Sequence, residues 1–184
     1  MFVQVVGATS LAYSKSFNRG EADVTLDRPS TCNSLEERLR KLEDINAITQ
    51  LIASYGPVAD TCDLEGLKRI WHPESIYEIG GIGVFHGPEG IAEAFAGEFH
   101  STIVKYGSAH ISSSPHIAIH GHRAAATNYG TLFWHENGQF ICGRLTATRW
   151  EFQRSEQHEW QVVKRTTILL DGREEARVLL AKPV

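Results

Sequence analysis

SAHISSSPHIAIHGHRAAATNYGTLFWHENGQFICGRLTATRWEFQRSEQHEWQVVKRTTILL, residues 108–170, is the stretch in which the periodicity of the chain becomes two. Its runs 108–119, 123–135, 139–153 and 159–170 are separated by His120-Gly121-His122, Glu136-Asn137-Gly138 and Ser155-Glu156-Gln157-His158. Those breaks carry turn chemistry, so the stretch predicts four long antiparallel strands.

Upstream of the strands the period is helical. Ser34-Leu35-Glu36-Glu37 reads as a capping box, in which the serine hydroxyl and the glutamate each satisfy a backbone N–H of the first turn. Apolar residues at Leu35, Leu39, Leu42, Ile45, Ile48, Leu51, Ile52 and Tyr55 then form one stripe, which Gly56-Pro57 should kink or end. Asp63 is placed to cap a second helix carrying Leu64, Leu67, Ile70 and Trp71, stopped by His72-Pro73. SIYEIG and VFHG flank a Gly-Ile-Gly turn and predict a short hairpin. Pro88 suits the first turn of a third helix over about 88–100. Helices followed by segregated strands imply an α+β domain, with a strongly curved antiparallel sheet folded against three helices and a pocket inside.

Residues 1–33 lack a sustained period and read as an arm, leaving 34–184 as the domain. The whole chain has 184 residues, 42% of them hydrophobic and 22% charged, the composition of one globular domain. A net charge of -4 gives no footprint for nucleic acid or an anionic membrane. No run approaches the ~20 apolar residues of a membrane helix, and the opening MFVQVVGATSLAY lacks the basic start of a secretory signal, so a cytoplasmic protein is expected. Cys32, Cys62 and Cys142 are odd in number, lack CxxC spacing and read as free thiols.

The chain has nine histidines. With a reference pKa of ~6.5, imidazole is the default base for taking a proton from an activated carbon. His116, His120 and His122 have metal-like spacing, but two of them bracket a hairpin glycine and no carboxylate is close in sequence, so no metal or other cofactor is expected. His72 reads as punctuation before Pro73, and His86, His100, His135 and His158 as solvated surface. Arg165 alternates with Val163, Thr167 and Leu169 and should share their face, where a lone cation needs a partner. Phe133, Trp134, Trp150, Phe152 and Trp160 fall on strands, as core or as pocket lining for an apolar substrate.

IWHPESIYEIGGIGVFHGPEGIAEAF, residues 70–95, preceded by YGPVADTCDLEGLK, residues 55–68, resembles the SnoaL-like branch of the nuclear transport factor 2-like superfamily. Within that branch the likeness is to the hexachlorocyclohexane dehydrochlorinases, then to scytalone dehydratase and bile acid 7α-dehydratase, over roughly residues 35–170. The resemblance implies a cone-shaped α+β barrel with an internal active site, often in a homotrimer. It carries the family's catalytic aspartate onto Asp60, its histidine onto His110 and an active-site arginine onto Arg165. Two positions depart from the dehydrochlorinase pattern: Tyr55 replaces a pocket lysine, as in the two dehydratases, and Ser108 replaces a cysteine.

In this reading Asp60 fixes the His110 tautomer, and the Tyr55 phenol and the Arg165 guanidinium stabilise charge on the substrate. Ser108 and Trp71 are candidate substrate contacts. Residue by residue, other readings stand: Asp60 as a helix-end cap, Tyr55 as core, His110 as a bonded strand histidine. The expected activity is a cofactor-independent lyase acting on a small hydrophobic substrate, with water favoured over halide as leaving group. The alternatives are an isomerase or cyclase, or a non-catalytic binding or assembly subunit.

Overall fold

The computed structural model of the protein describes residues 34–181. The expected 1–33 arm and Cys32 lie outside the described residues, and Cys62 and Cys142 are free thiols. Helix α1 (Leu35–Asp60) opens on the predicted capping box, with Glu37 N–H donating to Ser34 Oγ at 3.2 Å and Ser34 N–H to Glu37 Oε2 at 3.0 Å. Gly56-Pro57 does not end it. The helix runs through the proline to Asp60 because its last turns are packed: Tyr55, Gly56 and Ala59 are all buried, which outweighs one missing N–H. Thr61 closes the end, its N–H and hydroxyl both donating to the Pro57 carbonyl at 3.0 and 2.8 Å.

Asp63 caps α2 (Leu64–Ile70) by accepting from Gly66 N–H at 2.8 Å. The chain is already extended at Trp71, so His72-Pro73 lies inside strand β1 (Trp71–Ile79) instead of after a helix. Pro73 falls where the β1 register is irregular, between Trp71 and Ile76, so its missing N–H interrupts no regular ladder there. Strand β2 (Gly83–His86) completes the expected hairpin. The single helix predicted at 88–100 is two, α3 (Gly87–Ala96) and α4 (Glu98–Tyr106), because Gly97 between them is extended.

The run 108–119 is likewise two strands, β3 (Ser108–Ser112) and β4 (His116–His120), which pair with successive parts of β5 (Arg123–Glu136). Asn128 and Ser113 stitch the break: Asn128 Nδ2 donates to the Ser113 carbonyl at 3.0 Å, and Tyr129 N–H donates to Ser113 Oγ at 3.0 Å. Strands β6 (Gln139–Arg154) and β7 (Trp160–Leu169) follow, then α5 (Glu174–Ala181), which the sequence reading did not anticipate.

The sheet order is β2-β1-β7-β6-β5-β3, with β4 also on β5. The α+β class and the curved sheet packed on helices stand. The sheet is mixed, however, because β1 meets β7 in parallel across a long crossover, and it stays open instead of closing into a barrel. Ile48, Ile52 and Tyr55 of α1, Ile91 and Phe95 of α3, and Trp150, Phe152 and Val162 of the sheet form the core. Among the described residues no helix is long and apolar enough to cross a membrane.

Candidate active site

Strand registry builds one polar-lined face inside the curve of the sheet. Pairs Tyr77↔Arg165 and Ile79↔Thr167 join β1 to β7, Trp150↔Arg165 and Thr148↔Thr167 join β6 to β7, and Gly130↔Thr146 and Leu132↔Arg144 join β5 to β6. His110↔Leu132 extends the same face onto β3. On β7 a register irregularity near Val163 shifts the alternation, so Val162 and not Val163 is buried along with Arg165 and Thr167. With α3 and α4 this face bounds a cavity of about 310 Å³, whose mouth is rimmed by the exposed Ile82, Phe99 and Ile111. That volume is at the lower end of the ~300–1,000 Å³ usual for small-molecule sites.

The chemistry begins where α1 ends. A Cβ on Gly56 would lie 2.1 Å from the His110 carbonyl oxygen, so only glycine lets the last turns of α1 approach β3 this closely. Asp60, the final helical residue, thereby accepts three hydrogen bonds of 2.7 Å: Ser108 Oγ and His110 Nδ1 to Oδ1, and His110 N–H to Oδ2. Burial alone would raise the Asp60 pKa, but the bonds from the His110 ring, the His110 backbone and Ser108 outweigh it and hold the carboxyl below its ordinary value. An ionised carboxylate only accepts, so the His110 ring proton is on Nδ1 and the free lone pair is on Nε2. His110 borders the cavity.

Also on the cavity, Arg165 is 5% exposed and its guanidinium carbon lies 3.8 Å from the Tyr55 ring centroid, 4.1 Å from that of Trp150 and 4.9 Å from that of Tyr77. No carboxylate among the described residues pairs with it, and its Nε and Nη1 are buried without a hydrogen-bond partner. Three aromatic faces therefore hold the cation in place of a counter-ion. Tyr55 is both core and cavity wall, its hydroxyl 3.2 Å from that of Tyr77. Burial drives the Tyr55 pKa well above its ordinary value, against the pull of Arg165, so the phenol keeps its proton.

Tyr55, His110 and Arg165 thus border one cavity, with Asp60 behind His110, while neither of the two expected substrate contacts borders it. Ser108 spends its hydroxyl on Asp60 and does not border the cavity, and Trp71 is core, stacked on Tyr77 at 5.4 Å. His116, His120 and His122 are exposed and none borders the cavity. Trp150, Phe152 and Trp160 are core, and the aromatic wall comes instead from Tyr55, Tyr77, Phe85, Phe95 and Phe99.

Two cavity groups were not among the candidate site residues read from the sequence. Arg144 borders the cavity, donates from Nη2 to the Gly80 carbonyl at 2.7 Å, and has its pKa lowered chiefly by burial. Its alternation with Thr146, Thr148 and Trp150 was the available signal. His100, expected on the surface, is 7% exposed and borders the cavity with its ring centroid 5.4 Å from that of His110.

Residues 40–166 match the family described as SnoaL-like domain. A search of curated proteins finds no match. Among solved structures, a nuclear transport factor 2-like protein with a cystatin-like fold from Novosphingobium aromaticivorans is 35% identical, with TM-score 0.77 over 88% of this chain and 99% of that one. A hexachlorocyclohexane dehydrochlorinase from Novosphingobium barchaimii is 18% identical, with TM-score 0.64 over 72% of this chain and 90% of that one. A nuclear transport factor 2-like superfamily protein from Salmonella enterica is 19% identical, with TM-score 0.59 over 70% and 92% of the two chains. The match over 40–166 and the extended likeness at 35% identity establish that this chain belongs to the SnoaL-like family of the nuclear transport factor 2-like superfamily.

Proposed function

We propose that the protein is a cofactor-independent lyase that removes a proton from a small, largely apolar substrate, with His110 as base and Asp60 as the group that orients it. The observation that carries this reading is the Asp60–His110 pair at 2.7 Å, which leaves a basic Nε2 on a cavity that also holds a guanidinium with no carboxylate partner among the described residues. Nε2 takes a proton from carbon, the C–H pair becomes the new double bond, and the bond to the leaving group breaks with its pair on that group. Asp60 stabilises the imidazolium that forms. Arg165 and Arg144 act on charge that develops on a substrate oxygen, without having to reorganise. A departing hydroxide takes the proton from His110 and leaves as water. The neutral Tyr55 phenol, a donor and not a base, favours hydroxyl over halide as leaving group. We further propose a cytoplasmic protein with a 34–184 domain preceded by a 1–33 arm, and a homotrimer, for which the exposed stripe Leu35, Leu39 and Leu42 on α1 supports self-association.

The test is a panel of hydroxylated and chlorinated cyclic compounds, with loss of water or hydrogen chloride followed by mass spectrometry. Turnover by the parent should fall ~10²–10⁴-fold in His110→Ala and also collapse in Asp60→Asn, both remaining folded. Turnover at the parent rate in either variant removes the dyad. Binding of panel compounds without any turnover by the parent returns the protein to the non-catalytic class.

A further inference from the structure

His100 has no part in the elimination just described, yet it is the cavity residue whose polar atoms are least accounted for. It is the third residue of α4, 7% exposed, with its ring 4.6 Å from that of Phe95 and 5.4 Å from that of His110. Neither Nδ1 nor Nε2 has a hydrogen-bond partner of good geometry among the described residues; the Phe95 carbonyl is near enough to act on the ring but does not make a well-formed bond to it. A histidine buried as mere packing keeps at least one ring nitrogen bonded, because desolvated polar atoms are costly to leave bare. An apolar residue would fill the place beside Phe95 without that cost.

Its protonation state follows from its surroundings. Burial first, and the neighbouring His110 second, hold its pKa below the ordinary histidine value; the Phe95 carbonyl and Asp60 only partly oppose this. The N-terminal turn of α4 acts in the same direction, since the positive end of a helix disfavours an imidazolium. His100 is therefore neutral at neutral pH, with one N–H to give and one lone pair to fill. It cannot supply a full proton cheaply, but it can hydrogen-bond an oxygen.

We propose that His100 is a substrate-contacting residue that binds a hydroxyl or carbonyl oxygen of the substrate, close to the carbon whose proton His110 removes. The proposal rests on the cavity being the substrate site of that reaction, and it narrows the substrate to an oxygenated compound. A halogenated hydrocarbon without oxygen leaves both ring nitrogens bare. Sites built around a buried hydrogen bond reject analogues that lack the partner far more strongly than apolar pockets reject a missing methylene. Arg144, Arg165 and the Tyr55 phenol also border the cavity and can donate to a substrate oxygen, so the test must separate His100 from them.

Binding without turnover does so. The affinities of 1-indanone, 1-indanol and indane for the full chain are measured by calorimetry in the parent, His100→Phe and His100→Gln. The parent should bind at least one oxygenated probe ~10-fold or more tighter than indane. His100→Phe should abolish that preference with indane affinity unchanged, and His100→Gln, which keeps a donor, should restore part of it. Should His100→Phe fail to fold, 15N spectra of the parent's histidine rings decide: the His100 signals move with the oxygenated probe and not with indane. A parent that does not prefer either oxygenated probe, a preference that survives in His100→Phe, or unmoved His100 signals overturns the proposal. The lyase reading fails separately, through parent-rate turnover in the dyad variants.

Discussion

Tyr55 carries two duties on one side chain. Its ring packs edge-on against Tyr77, Phe95, His110 and Trp150, and its hydroxyl meets that of Tyr77 at the cavity. Tyr55→Phe keeps the packing and removes the donor, so kcat should fall ~10–10³-fold with little change in KM if the phenol serves the transition state. Tyr55→Ala should instead cost about 3–5 kcal/mol of stability by emptying the centre of the core, as read by urea denaturation. The titrating groups add a pH dependence of definite sign. Asp60 has a folded pKa below its unfolded value, so its contribution is complete above the unfolded carboxyl pKa of ~3.9 and is lost as pH falls through the lower folded value. His100 is also depressed, so the unfolded chain takes up its proton first as pH falls below ~6.5, and stability declines from there down to the folded value. His100→Phe should flatten the parent's loss of stability between about pH 7 and pH 5, where one such group contributes at most ~1.4 kcal/mol per pH unit. Urea midpoints across that range, unchanged in slope by the substitution, would count against this.

At the scale of elements, α1 against β3 is the contact on which the site depends. Replacing glycine by alanine inside a helix ordinarily stabilises by about 1 kcal/mol. At Gly56 the sign should reverse, because the added methyl meets the His110 carbonyl at 2.1 Å and backbone must move. Gly56→Ala should cost ~1–3 kcal/mol as overpacking does, and should cost proportionately more in turnover by drawing Asp60 away from the His110 ring. Denaturation and rate measurements on the same variant separate the two effects. The second determining element is α4. Gly97, extended between α3 and α4, turns the chain so that His100 and Ile103 face inward while Phe99 stays at the mouth.

Across the whole molecule, α1 projects past the core: Ile48 is its first buried residue, and Leu35, Leu39 and Leu42 before it are exposed on one stripe. Asp44 accepts from Arg154 and, at 3.2 Å, from Trp160 Nε1, which fixes the direction in which that stripe projects from β6 and β7. An apolar stripe held rigidly in water is the mark of an interface. Light scattering at micromolar concentration should therefore give more than one chain per particle, and glutamate at Leu35, Leu39 and Leu42 together should reduce the particle to a monomer with the fold intact. A parent that is already monomeric contradicts the trimer.

What the sequence determined by itself was everything carried by short-range pattern. The capping box at Ser34, the Asp63 cap, the hairpin and the two-residue alternation after Ser108 are all read within a few residues, and they sufficed for an α+β class and an approximate element order. A family likeness then singled out Asp60, His110, Tyr55 and Arg165. What only the tertiary structure decided were the contacts made across the fold. Asp60 meets Ser108 and His110 from 48 and 50 residues away, and no local pattern encodes that three donors converge on it. Gly56-Pro57 reads locally as a stop, and only the approach of β3 makes it a close contact inside a continuing helix. His100 sits on a helix-end stretch that looks solvated, and only the packing of α4 over the cavity buries it beside His110. Local sequence sets which conformations are favourable and which faces are apolar, whereas burial and partnering depend on what arrives from elsewhere in the chain, and those are the quantities that make a histidine a base, a ligand contact or surface.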